Sequence, residues 1–234
     1  MKKQKSFDYL RSAIQALNVD IMLLQEVAGV EERASHEPRD PEDGLAAQLE
    51  ALADEAWPYY AYGKNSIFAG GFHGNAILSK YPIQNWGNID ITIPPLHTRG
   101  CLHAEVVAPD HGVAFHLLSV HLGLWQTERR LQLSKLADYL SSHLAEQSSV
   151  LLAGDFNDWR ENASKKLGAR LGLDEAFLES NGKYARTFPS RWPMLALDRM
   201  YFRGMHVKRA IRITGAPWNQ LSDHLPLLAE FQID

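Results

Sequence analysis

Short apolar runs in this chain stop abruptly on carboxylate, amide or imidazole side chains, and no other feature limits the possible folds as much. Ile21-Met22-Leu23-Leu24 runs into Gln25-Glu26, Ser119-Val120 into His121, and the run from Val150 through Gly154 to Asp155-Phe156-Asn157. A fourth signature, Ser222-Asp223-His224, stands just ahead of Pro226 and another apolar run. Runs this short suit strands that are covered on both faces. Polar groups just beyond such strands lie where a sheet presents a site. The pattern that predicts a buried sheet therefore also nominates functional residues.

Further strands are expected over 75–79, 101–108, 113–121, 150–154, 197–202 and 227–231, and Pro109-Asp110-His111-Gly112 marks a hairpin turn between the second and third. Phe7, Leu10, Ile14 and Leu17 fall at helical spacing behind a Ser6 N-cap. The stretch 28–44 reads as a loop leading to a helix through Leu45, Leu49 and Leu52. A long helix over 127–144 places Leu131, Leu136 and Leu140 on its inner stripe, with Arg129 and Arg130 near its first turn. Helices that alternate with strands, together with a hairpin, fit a mixed α/β architecture better than a purely parallel one. At 234 residues, with no linker or repeat, the chain reads as one domain over 1–234.

With 45% apolar and 22% charged residues the composition is that of a globular protein. The single cysteine, Cys101, allows no internal disulfide and no Cys-based metal site, and it reads as a packed small hydrophobe. No apolar run approaches the roughly 20 residues that span a bilayer, and the basic start is followed by Phe7-Asp8-Tyr9 and not by an apolar stretch. No stable membrane insertion, a cytoplasmic location and no obligate protein partner are expected. The 24 Lys and Arg against 28 Asp and Glu give −4, with acid enriched over 31–43, which is a poor grip for long nucleic acid. Core packing is expected for most of the six tryptophans.

Each signature alone has a structural explanation. Glu26 fits a solvated strand end, His121 a hydrogen-bonded structural histidine, and Asp155 with Asn157 an Asx turn. In combination, Leu24-Gln25-Glu26-Val27, Gly74-Asn75-Ala76-Ile77-Leu78-Ser79, Val120-His121-Leu122, Gly154-Asp155-Phe156-Asn157-Asp158, Leu197-Asp198-Arg199 and Ser222-Asp223-His224-Leu225-Pro226 resemble the successive motifs of the endonuclease/exonuclease/phosphatase superfamily. The resemblance spans 6–231. It implies an α/β four-layer sandwich, with two packed mixed β-sheets flanked by helices, and a metal-dependent phosphoesterase activity.

By that resemblance Glu26 is the first metal ligand and Asp223 a second, for Mg²⁺ or Mn²⁺, which need oxygen ligands and keep several waters. Asp155 is expected as the general base, crowded enough to rise above the ordinary ~3.9 of an aspartate. Asn157 is expected to donate to a phosphate oxygen. His224, oriented by Asp198, stabilises the phosphate charge, and His121 is a candidate acid for the leaving oxygen. Asn75 and Arg99 are expected as substrate contacts. The substrate is a phosphate ester, whether nucleic acid, phospholipid or soluble ester. A calcineurin-like phosphoesterase is disfavoured by the lack of a His-x-His pair, and a silent binding protein by the intact site residues. Relatives usually begin with an apolar strand ending in Asn. Only Met1 to Lys5 precede Ser6, so a natural start upstream, or a shortened form with weakened metal binding, is expected.

Overall fold

The computed structural model describes residues 2–30, 52–53, 56–68, 71–96, 98–108 and 112–233. The expected 28–44 loop is corrected at its start, where Ala28 to Val30 continue the strand that begins at Ile21; the rest of it, most of the helix through Leu45 and Leu49, the acidic 31–43 stretch and the tip of the 109–112 turn lie outside the described residues.

The first helix, α1 (Lys2–Gln15), begins ahead of Ser6 and ends where Asn18 turns into the left-handed region at φ 47°. Strand β1 (Ile21–Val30) then pairs antiparallel with β3 (Gly71–Ser79), which also pairs antiparallel with β2 (Tyr59–Phe68). A larger sheet is formed by β4 (Ile83–Asp90), β5 (Gly100–Ala108), β6 (Val113–His121), β7 (Ser149–Asp155), β8 (Asp174–Glu175) and β9 (Asp198–Arg203), in the order β4-β5-β6-β7-β9-β8. It is mixed, because β6 and β7 run parallel while the other pairs are antiparallel. The expected hairpin is its β5–β6 pair, in register from Cys101↔Val120 to Ala108↔Val113. A third pair, β10 (His206–Arg212) and β11 (Leu227–Gln232), is antiparallel. Among the described residues β1 pairs only with β3, and β11 only with β10.

Layering follows from strand alternation. Leu102, Ala104, Leu117 and Phe202 of the six-stranded sheet meet Ala61, Ile77, Leu23, Ala210 and Phe231 of the smaller sheets in one apolar cluster. On the opposite face Leu118, Val120, Val150 and Leu152 pack against α2 (Gln126–His143) and α3 (Asn162–Leu171) through Leu133, Leu136, Leu140, Ala163 and Leu167. On the far side of the small sheets, Met22 packs with Leu10, Ile14 and Trp218, so α1 and the short helix α5 (Trp218–Leu221) close the fourth layer. One further turn of helix, α4 (Ala176–Asn181), follows β8. Among the described residues no helix is long and apolar enough to cross a membrane.

Several local expectations are corrected. Leu131 faces outward, and the buried stripe of α2 runs instead through Arg129, Gln132, Leu133, Leu136, Ala137 and Leu140. The stretch 80–99, where no strand is expected from the sequence, contains β4. Trp57 and Trp218 are buried, but Trp86, Trp125, Trp159 and Trp192 are exposed. Cys101 is fully buried, which pushes its thiol far above the ordinary range and makes it a packing residue.

Candidate active site

Strand register assembles the centre of the site. His121 lies opposite Asp155 in the parallel β6–β7 pair, and Asp155 lies opposite Asp198 in the antiparallel β7–β9 pair. Laterally paired residues point to the same face, so three polar side chains end three adjacent strands in one row. Gly154 makes the row possible. Its φ is +145°, and a Cβ there would lie 1.9 Å from Val120 O.

Just beyond β7 the chain turns on Asn157, at φ 49°, whose backbone N–H donates to Asp155 Oδ1 at 2.8 Å. That is the Asx turn expected from the sequence, and it fixes the carboxylate. The Asn157 amide donates to Leu122 O at 3.0 Å, tying the β7 loop to the β6 loop. Asp158 accepts from Ala163 N at 2.7 Å and so caps the start of α3.

His224 arrives from the opposite side. The segment after α5 is pinned by Ser190 N donating to Asp223 O at 2.7 Å and by Leu225 N donating to Thr187 O at 3.1 Å. His224 Nδ1 then meets Asp198 Oδ2 at 2.8 Å, and Asp198 Oδ2 also accepts from the Thr187 hydroxyl. Thr187 is a positioning residue with no signal in the sequence. His224 Nε2 stands 3.9 Å from Asp155 Oδ2, and His121 Nε2 stands 3.5 Å from the same oxygen.

The charges in this cluster are set by its burial. Burial and the neighbouring Asp198 push the Asp155 carboxyl up to about 7, against the opposing pull of His224 and the Asn157 N–H. Burial lowers His224, but the Asp198 hydrogen bond and the Asp198, Asp155 and Asp223 charges outweigh it and raise the imidazole to about 9. His121 moves the other way, held down to about 3 by burial and by Arg99, His224 and His73. It is therefore neutral near pH 7.

Glu26 does not end its strand. It sits at φ 55° in a bulge within β1, where the register with β3 shifts between Leu24 and Val27, and this turns its side chain outward. The Glu26 side chain is 66% exposed, with Oε1 3.9 Å from His121 Nδ1. Gln25 anchors the bulge by donating to Ser119 Oγ at 3.0 Å. Glu26 shares a shallow cleft with Asn65, His73, Asn75, Arg99 and His121. Asn75 is buried there, and its amide donates to Gly100 O and Ser119 O, both at 3.0 Å, so its N–H groups hold β3 to the larger sheet. The Arg99 Nε is buried without a hydrogen-bond partner. His73 was missed in the sequence, although its place two residues before Asn75 on one strand puts both on one face.

Among the described residues no group of three His, Cys, Asp or Glu side chains is spaced to hold a metal ion. Asp223 is exposed and held through its backbone carbonyl. A hard cation that retains its waters needs only one or two carboxylates, and Glu26 presents one exposed carboxylate at this cleft. The orphaned Arg99 donor in the Glu26 cleft matches an anionic acceptor there.

Known proteins carry the same framework. The chain is 40% identical over 225 residues to the uncharacterized protein YbhP of Escherichia coli K12, covering 96% of this chain and 87% of that one. The catalytic domain of human Nocturnin, solved with a bound sulfate anion, superposes with a TM-score of 0.73 at 20% identity over 99% of this chain and 87% of that one. A mannosyl-6-phosphatase of Bacteroides thetaiotaomicron superposes with a TM-score of 0.71 at 17% identity, over 97% and 91%. The sequence profile of the Endonuclease/Exonuclease/phosphatase family matches residues 2–224, and the chain belongs to that family.

Proposed function

We propose that this protein hydrolyses phosphate esters with a divalent cation, Mg²⁺ or Mn²⁺, held by Glu26 and Asp223. The observation that carries the reading is the opposition of a carboxylate with a pKa near neutrality and a cationic imidazole, Asp155 and His224, across 3.9 Å. A base of that strength is matched to taking a proton from water near pH 7. His224, kept cationic and oriented by Asp198, opposes charge that builds on the phosphate oxygens. Arg99 supplies the unpartnered donor on the Glu26 side, and Asn157 holds Asp155 in position while its amide borders the phosphate. Neutral His121 orients Asp155. The cation, when bound, neutralises phosphate charge and polarises the ester.

The bound sulfate of Nocturnin and the phosphatase activity named for the Bacteroides protein support an oxyanion of this class as the ligand. The single buried cysteine supports a reducing, cytoplasmic setting. The test is hydrolysis of bis-p-nitrophenyl phosphate with and without Mg²⁺ or Mn²⁺. Asp155→Asn and His224→Ala are expected to lower the rate by at least ~10² while remaining folded. Full activity in EDTA, or in either folded variant, rules the mechanism out.

A further inference from the structure

The loops that frame the Asp155–His224 pair carry large exposed apolar side chains. On the Asp155 side these are Leu124, Trp125 and Trp159, at 60%, 67% and 48% exposure. On the His224 side they are Trp192 and Met194, at 75% and 57%.

Both lips are built and held. Asn157 bonds Leu122 O, Arg160 bonds Gln126 Oε1 at 2.9 Å, and Arg129 bonds Gly123 O at 3.3 Å and also Leu124 O. The Arg129 guanidinium lies 4.7 Å from the centre of the Trp159 ring. Across the site, Trp192 N donates to Pro189 O and Met194 N to Phe188 O, both at 2.9 Å, and the Phe188 ring lies 5.0 Å from that of His224. Several large apolar side chains exposed on ordered loops at the rim of one site mark an interaction surface.

We propose that these two lips dock the protein on a lipid surface, so that the phosphate ester presented to Asp155 and His224 is that of an amphiphile; the proposal rests on the phosphoesterase reading of the same site. Two observations favour lipid over a nucleic-acid strand. Leu124 and Met194 offer no ring face for a base to stack on, whereas Trp, Leu and Met together suit the boundary between headgroups and acyl chains. Exposed Arg160 and Arg191 adjoin Trp159 and Trp192, complementing anionic headgroups.

The test is flotation of the full chain with vesicles of phosphatidylcholine and phosphatidylglycerol. The protein is expected to float with the vesicles, and so is Asp155→Asn, because docking needs no chemistry. Trp125→Glu combined with Trp192→Glu is expected to lower vesicle partitioning at least about tenfold with an unchanged melting curve. Leu124→Ser with Met194→Ser serves as a second pair should the first fail to fold. Absence of flotation, or flotation untouched by both pairs, overturns the proposal. It is equally overturned if the same substitutions abolish oligonucleotide binding or self-association while vesicles are ignored. Hydrolysis of the soluble diester without flotation refutes docking alone, and flotation without any hydrolysis refutes the catalytic reading alone.

Discussion

At the residue scale, Asp155 and His224 set opposite limits on activity. Asp155 acts only when ionised, so kcat rises with pH through about 7. His224 acts only as a cation, so kcat falls as pH passes about 9. A bell-shaped profile with limbs near these values is expected in the hydrolysis assay, and a rate that stays flat from pH 6 to 10 refutes the pairing. Fold stability titrates with the same groups. The His224 contribution is complete below its ordinary 6.5 and disappears as pH rises through about 9. The raised Asp155 carboxyl works against the fold as it ionises, so its cost appears between its ordinary 3.8 and about 7. His224→Ala should therefore lower Tm more at pH 6 than at pH 10, which thermal melts at the two values check.

At the scale of elements, the parallel β6–β7 contact depends on a single backbone position. Gly154 holds φ +145° with Val120 O where a side chain would stand. Gly154→Ala is expected to destabilise the fold by ~3 kcal/mol or more and to lower Tm by roughly 6–12 °C. An unchanged melting temperature refutes the close approach. Strand β7 is legible in the sequence because its apolar run is unbroken, and so is the β5–β6 hairpin, whose turn residues stand between two β-rich runs. Strand β4 was not legible, because Asn85, Gly87 and Asn88 interrupt it and Gln84 to Asn88 are exposed. Leu131 is apolar yet faces outward. The helix instead buries Arg129, whose guanidinium bonds the carbonyls of Gly123 and Leu124. Glu26 looks like a strand end because the apolar run stops there, yet a bulge carries β1 past it. The Asp198–His224 pair is separated by 26 residues, and only the family resemblance linked the two before the structure did.

At the scale of the whole molecule, the net charge of −4 hides a strongly uneven distribution. Between residues 182 and 213 stand Lys183, Arg186, Arg191, Arg199, Arg203, Lys208, Arg209 and Arg212 against Asp198 alone. By count alone that segment carries a strong local excess of positive charge. In the fold several of its cations are already engaged. Arg199 is buried and bonds the carbonyls of Ala196, Asp198 and Asp158. Arg203 bonds those of Ser148, Leu171 and Ala145, and Arg212 bonds that of Arg186. A guanidinium whose N–H groups are committed to backbone carbonyls keeps its charge but has fewer donors left to bond a phosphate. Affinity for long duplex DNA is therefore expected to be weaker than ~10⁻⁶ M near 0.15 M salt, with a shallow dependence on salt concentration. Fluorescence anisotropy across a salt series measures both quantities. Sub-micromolar binding with a steep slope shows that the remaining cations, Lys183, Arg186, Arg191, Lys208 and Arg209, act together as a groove, and it returns the substrate to nucleic acid.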